Sequence, residues 1–289
     1  MKKITVISGK GGTGKTTLAA NFARLADNLV LADCDVDAPN MHLLLNPELE
    51  EARVFKGAKL AEINEEKCIQ CGLCQKICNF DIIDKDFSID EIKCDGCGTC
   101  VAQCPERALK LAVQVTGNLF LSRTDLGPFI HARLLPGGDN SGKLVSEVRE
   151  LAEEIGSKEK KDLLLIDGSP GIGCPVIASL QGTDTALIVT EPTKSGLSDL
   201  KRILEVAEHF GVDSLVLINK YDINEEITSE IVSYCQEHNI VTAGKIPYDE
   251  IVNQSLKEGE LVLEYAANSK SARAIRQVWK NIEGVINNV

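Results

Sequence analysis

The chain has 289 residues, 44% hydrophobic and 26% charged, with a formal net charge of −12 and a pI near 4.9. That length holds one large α/β domain or two smaller ones with a sizeable core. The acidity argues against a nucleic-acid partner, which needs clustered Lys and Arg, and no apolar run approaches a bilayer span.

Met1, Lys2 and Lys3 lead directly into an apolar stretch, without the h-region of a signal peptide. A cytoplasmic location is therefore expected, and a membrane partner is not. Eight of the eleven cysteines fall between residues 68 and 104, a distribution that indicates metal rather than a secreted disulfide framework.

The first strand is expected at residues 4–7. Residues 9–16 match G-x-x-x-x-G-K-[ST], the P-loop, and a helical pattern follows from about residue 16 to 25. The glycines let the backbone N–H groups turn inward on phosphate oxygens, aided by the dipole of the following helix. In this motif Gly11, Gly12, Thr13 and Gly14 form the cradle, Lys15 reaches the β- and γ-phosphates, and Thr16 offers its hydroxyl to Mg²⁺.

A second strand at residues 29–32 ends in Asp33-Cys34-Asp35-Val36-Asp37. Carboxylates at the C-terminal end of a parallel strand stand where open α/β sheets bind ligands. Asp33 and Asp35, two residues apart, can face the same side, toward Mg²⁺ and an attacking water. The alternative is a solvated acidic turn that caps the next helix.

Residues 65–112 interrupt this rhythm. Cys68-x₂-Cys71-x₂-Cys74-x₃-Cys78 recurs 26 residues later as Cys94-x₂-Cys97-x₂-Cys100-x₃-Cys104-Pro105, two copies of one small unit. The spacing is that of two-cluster bacterial ferredoxins, in which the fourth cysteine of each run ligates the other cluster. One [4Fe-4S] cluster then takes Cys68, Cys71, Cys74 and Cys104, and the other takes Cys94, Cys97, Cys100 and Cys78. Zinc favours separated C-x₂-C pairs, and two continuous four-cysteine runs fit it poorly. Asn79 stands where proline follows the fourth cysteine of the second run. From residue 65 to 112 nine acidic residues face six basic ones, a surface suited to a basic redox partner or simply a solvated face.

Short strands are expected at residues 118–122 and 132–135 around a loop at 123–131. A glycine-rich loop at 136–143 then precedes a helix to about residue 155, with Ser141 as its N-cap. The apolar run 163–166 ends in Asp167, a Walker-B arrangement for the Mg²⁺ shell. Strands are expected at 186–190, 215–219 and 240–246, and a helix at 197–210. Asn219-Lys220-Tyr221-Asp222 reads as N-K-x-D, which leaves guanine and adenine open at this point. The last helix, 271–286, sets Ala272, Ile275, Val278, Trp279, Ile282 and Ile286 on one face, expected to pack in the core rather than on a membrane surface.

Together these residues resemble the MinD/ParA-type deviant Walker A ATPases, specifically members with an inserted ferredoxin domain. The resemblance implies an α/β P-loop NTPase fold, a mostly parallel sheet with helices on both faces, over residues 1–59 and 113–289. Residues 60–112 would be the ferredoxin-like insert. It also implies that Lys10 crosses a dimer interface to the partner's nucleotide, that Asp35 positions the attacking water, and that Asp33 and Asp167 support Mg²⁺. Thr17 would contact the α-phosphate, and Asn219, Pro247 and Asp249 the adenine, which selects ATP over GTP.

One departure matters: no C-x-x-C follows Cys104, so the bridging cluster of the family's cytosolic carriers has no counterpart. Cys174 and Cys235 are isolated, and Cys174 is expected to be a small buried residue. The function expected is ATP-dependent dimerisation and hydrolysis, with itself or a paralogue, coupled to electron delivery to a redox or metal-cofactor-assembly partner. An ATP-gated cluster or metal carrier is the alternative, and a MinD-like spatial regulator at the membrane a third reading.

Overall fold

A computed structural model describes residues 1–138 and 140–286. Residue 139 of the expected 136–143 loop, and residues 287–289, lie outside it. The chain forms β1 (Lys2–Ser8), α1 (Lys15–Leu25), β2 (Leu29–Asp33), the single turn α2 (His42–Leu45) and β3 (Glu48–Phe55). Next come β4 (Ala58–Ile63), α3 (Leu73–Ile77), α4 (Thr99–Gln103) and β5 (Leu109–Gln114), then β6 (Gly117–Thr124), β7 (Gly127–Leu134), α5 (Ser141–Lys158) and β8 (Leu163–Pro170). The remainder is α6 (Cys174–Leu180), β9 (Thr185–Thr190), α7 (Lys194–His209), β10 (Asp213–Asn219), α8 (Glu225–Glu237), β11 (Val241–Ile246), α9 (Glu250–Glu258), α10 (Val262–Tyr265) and α11 (Lys270–Ile286).

The chain divides into two compact units. The first comprises Met1–Arg53, Leu119–Arg133 and Gly142 onward; the second comprises Val54–Asn118 and Leu134–Ser141.

In the first unit nine strands form one sheet in the order β11-β10-β9-β1-β8-β2-β7-β6-β3. Pairing is parallel from β11 through β7. Strands of a parallel sheet are buried on both faces, so their side chains are apolar on both sides. In β9, Leu187 and Val189 belong to the core shared with α1 and α11, while Ala186 and Ile188 belong to that shared with α6, α7 and α8. This two-residue alternation puts helices on both faces of the sheet. The apolar face of α11 is in the core, with Trp279 stacked 5.5 Å from Phe22 of α1. Among the described residues no helix is long and apolar enough to cross a membrane.

Two expectations change. Residues 123–131 are mostly strand: β6 and β7 are joined by the two-residue turn Asp125-Leu126, a length that makes the pair an antiparallel hairpin. The Thr124 hydroxyl accepts from the N–H groups of Leu126 and Gly127, both at 3.2 Å, and donates to the Gly127 carbonyl at 3.0 Å. The polar residues that read as a loop are thus only its tip, and Phe129 and Ile130 beyond it are fully buried. The strand β3 was not anticipated, because an edge strand with every residue but Phe55 exposed carries no hydrophobic period.

The second unit holds the antiparallel pair β4–β5, the bridge Ile83–Ile89, and α3 packed against α4. Its core comprises Ala61, Cys74, Ile82, Ile83 and Leu109, with Cys78, Cys94, Cys100 and Cys104 packed around them. Asn140 also belongs here and donates to the Gly57 carbonyl at 3.0 Å. Ser141 is the first residue of α5 rather than its cap.

His131 of β7 is stacked between Phe120 and Phe129, at 4.9 and 4.6 Å. Burial, with His42 nearby, lowers its pKa to about 4. Between that value and 6.5 the unfolded chain binds a proton that the folded chain does not, so acid destabilises the fold. The loss through this group is at most about 3 kcal/mol. His131→Phe keeps a ring in the stack without the proton, and urea midpoints at pH 7 and pH 5 should differ less for it than for the wild type.

Candidate functional site

The P-loop begins where β1 ends, with β8 on one side and β9 on the other, and its helix α1 starts at Lys15. Gly14 precedes that helix at φ 87°, in the left-handed region that L side chains avoid. A Cβ there would lie 2.5 Å from Nδ2 of Asn219. That amide donates to the Thr13 carbonyl at 2.8 Å, while its oxygen accepts the Lys220 N–H at 3.0 Å. Asn219, at the end of β10, therefore braces the phosphate loop across the sheet.

Parallel pairing of β2 with β8 sets Asp33 opposite Asp167, both fully buried. Lys15 Nζ lies 2.6 Å from Asp167 Oδ1, 3.9 Å from Asp35 Oδ2 and 3.4 Å from Thr16 Oγ1. Asp33 accepts from the N–H groups of Asp35 at 3.0 Å and Met41 at 3.3 Å. Burial opposes the Lys15 charge, but Asp167, Asp33 and Asp35 outweigh it and hold the lysine pKa above its ordinary value. Burial, and then the charge of Asp167, push the Asp33 carboxyl up, so it retains a proton more readily than a free carboxylate. Burial likewise raises Asp35 and the Cys34 thiol. Asp167 Oδ2 is buried with no hydrogen-bond partner, an orphaned acceptor that suits coordination of a divalent cation. The hydroxyl of Thr16 and the carboxylates of Asp33 and Asp167 are oxygen donors of the kind Mg²⁺ takes.

One cavity is lined by residues Gly11, Gly12, Thr13, Gly14, Lys15, Thr16 and Thr17 at one end, with Asp35 beside them. Its other end is formed by Asn219, Pro247 and Asp249, together with Ile246, Tyr248, Val252, Asn253, Leu256 and Ile275. The latter group gives an apolar slot at the reach of a purine from the phosphates. Its α9 residues carry no motif, although Val252 and Leu256, four apart, share one helix face.

Not every expected residue lines this cavity. Asp33 and Asp167 are fully buried and do not line it. Lys10 turns away, its Nζ 3.4 Å from Thr193 Oγ1, 3.3 Å from Ser195 Oγ and 3.9 Å from Glu191 Oε2. Asp249 lines the slot, but its carboxylate caps α9 at Ile251 N and accepts from Ser271 N and Oγ at 3.2 and 3.0 Å. Asp222, the last residue of N-K-x-D, accepts from Tyr248 N at 2.6 Å and faces Lys270 at 3.8 Å. Its carboxylate is thereby committed away from a guanine edge. Cys174, expected to be buried, is exposed at the first residue of α6.

The second unit has two further cavities. One is lined by Cys68, Cys71, Cys74 and Cys104, the other by Cys78, Cys94, Cys97 and Cys100. The backbone repeats with the sequence: positive φ recurs at the 26-residue offset in Gln70 and Gly96 (54° and 60°), Gly72 and Gly98 (72° and 75°), and Asp81 and Arg107 (49° and 50°). Three of these six are not glycine, and each costs on the order of 1 kcal/mol. Left-handed residues two apart, as at 70 and 72 and again at 96 and 98, are a backbone pattern from which a nest of N–H groups for negative charge can be built. Burial raises the Cys74 and Cys100 thiols, opposed in both by backbone N–H groups, Gln75 at one and Val101 at the other. Hydrogen bonds from the Thr99 hydroxyl and N–H hold the Cys97 thiol below its ordinary value. Among the described residues no three His, Cys, Asp or Glu side chains gather closely enough for a single metal ion.

Fold and phosphate loop define a P-loop nucleotide-binding protein. The chain matches the CobQ/CobB/MinD/ParA nucleotide binding domain over residues 4–262 and belongs to that family. It is 33% identical over 287 residues to an uncharacterized protein of Methanocaldococcus jannaschii, covering 98% of this chain and 97% of that one. The iron-sulfur cluster carrier protein of the same organism is 22% identical, over 98% of this chain and 85% of that one. The septum site-determining protein MinD from Pyrococcus horikoshii, solved with Mg-ADP, shares the fold: TM-score 0.61 at 18% identity, covering 99% of this chain and 98% of that one.

Gly14→Ala should lower affinity for a fluorescent nucleotide at least tenfold, because its Cβ meets a left-handed backbone and the Asn219 amide at once. Titration of the purified variant measures this, and circular dichroism should show the fold retained.

Proposed function

We propose that this protein is an ATP-hydrolysing, dimer-forming iron–sulfur protein that delivers electrons to a partner, in metal-cofactor maturation or a related redox process. What carries the redox half is the exchange of the fourth cysteine. Cys104 closes the cavity of Cys68, Cys71 and Cys74, and Cys78 closes that of Cys94, Cys97 and Cys100. Such an exchange, with a nest at each site, is the arrangement of a two-cluster ferredoxin domain. These eight thiolates would hold two [4Fe-4S] groups, which supply one-electron storage. ATPase activity is supported by membership of the MinD/ParA family, and ATP over GTP by the commitment of Asp222 to Tyr248 and Lys270.

On the nucleotide, the residues act by position and charge. The N–H groups of Gly11 to Thr16 cradle phosphate and Thr17 approaches the α-phosphate. Lys15 exchanges part of its bond to Asp167 for the β- and γ-phosphates. Mg²⁺, held through Thr16, Asp33 and Asp167, would supply further charge neutralisation. Asp35, which lines the cavity, orients the attacking water. Lys10, which rests outside its own cavity, completes the partner protomer's site. Asn219 acts chiefly by bracing the P-loop, and the adenine lies against Pro247 and its apolar neighbours.

The carrier reading has one specific support, the distant likeness to an iron-sulfur cluster carrier protein. Two four-thiolate sites closed within one chain favour retention over donation.

The test reduces the reconstituted protein with dithionite, removes the excess by anaerobic gel filtration, then adds cytochrome c as electron acceptor and an apo-ferredoxin as cluster acceptor, with and without Mg·ATP. Cytochrome c reduction with iron retained is expected. Iron passing to the apo-ferredoxin would establish the carrier instead. Cysteine variants check the exchange: Cys78→Ala and Cys94→Ala should each lose about half the iron and together no more, whereas Cys78→Ala with Cys71→Ala should lose nearly all. Lys10→Ala should abolish ATP-dependent dimerisation in light scattering and leave iron content unchanged.

A further inference from the structure

The 26-residue repeat lets the two cysteine cavities be compared position by position. Their backbones agree: Gly72 at φ 72°, ψ 4° and Gly98 at φ 75°, ψ 2° cap helices of equal length, and Cys78 and Cys104 end those helices at φ −74° and −69° with ψ 115° in both. The charged neighbours balance, since Glu106 lines one cavity and Asp95 the other. The side chains at the start of each helix do not. Position 73 is Leu and its repeat mate, position 99, is Thr.

Thr99 Oγ1 lies 3.5 Å from Cys97 Sγ, within reach of an O–H···S hydrogen bond. At a thiolate the hydroxyl can only donate. Leu73 offers nothing of the kind to Cys71. The cavity of Cys68, Cys71, Cys74 and Cys104 has a sulfur contact of another sort, from the Ala108 N–H to Cys104 Sγ at 3.2 Å, which substitution of side chains leaves in place.

A hydrogen bond to a ligating sulfur withdraws electron density and favours the more negative, reduced form of the centre. We infer that Thr99 is a tuning residue: its hydroxyl bond to Cys97 selectively raises the reduction potential of the centre held by Cys78, Cys94, Cys97 and Cys100, so two sites of one backbone design are electronically unequal. This rests on the [4Fe-4S] reading above. Thr99 acts through Cys97 and needs no contact with a substrate.

The experiment is a dithionite redox titration of the reconstituted full-length protein, followed by visible absorption and electron paramagnetic resonance. Thr99→Val should lower one midpoint potential and leave the other unmoved. Thr99→Ser, which keeps the hydroxyl, should restore the wild-type pair. Leu73→Thr, on the matching backbone, should raise the midpoint that Thr99→Val leaves alone. Full iron and sulfide in Thr99→Val with both midpoints unmoved, or with both displaced equally, overturns the inference. A wild-type protein reconstituting without iron and sulfide overturns the cluster assignment beneath it.

Discussion

One ammonium against two fully buried carboxylates is the constraint on which the nucleotide site depends. Lys15 reaches Asp167 at 2.6 Å, Asp33 stands opposite Asp167 across the paired strands, and Asp167 Oδ2 is left without a hydrogen bond. Buried charge of this kind is expensive unless compensated. The fold keeps it because β1, β2 and β8 run parallel and end together, which brings the P-loop lysine and both aspartates to one point. A divalent cation beside Asp167 Oδ2 and phosphate oxygens at Lys15 would complete that compensation, which is how the site suits a nucleotide.

The second unit solves a related problem with backbone rather than side chains. Eight thiolates holding the proposed clusters would carry strong negative charge, and around them left-handed residues recur at the same 26-residue offset. Non-glycine residues at three of those positions accept local backbone strain. The repetition of φ and ψ, not of side chains, makes the sites alike. Side chains are then free to make them differ, as Leu73 and Thr99 do.

The two halves of the chain impose different demands on the functional reading. For the nucleotide half, family membership and a phosphate cradle agree, and the detail added by the structure concerns which groups are already committed. Asn219, Asp222 and Asp249 are all engaged in internal hydrogen bonds, which leaves their polar atoms less available to a base than the motifs imply. In the cysteine half, two runs of identical spacing meet in two four-cysteine cavities.

The sequence by itself determined the local pieces. The P-loop, the strand ending in Asp167, the two cysteine runs and the buried face of the last helix are all encoded by short-range spacing, which survives without knowledge of distant neighbours. It did not reveal β3, whose exposed edge has no apolar period, and it took residues 123–131 as a loop between two short strands where the structure has most of a hairpin. Only the tertiary structure could decide that Lys10 rests on Thr193 and Ser195, that Asn219 braces Thr13, and that Val252 and Leu256 join the P-loop in one cavity. Those pairings join residues separated by most of the chain, and the parallel sheet, not the local sequence, sets the distance between them.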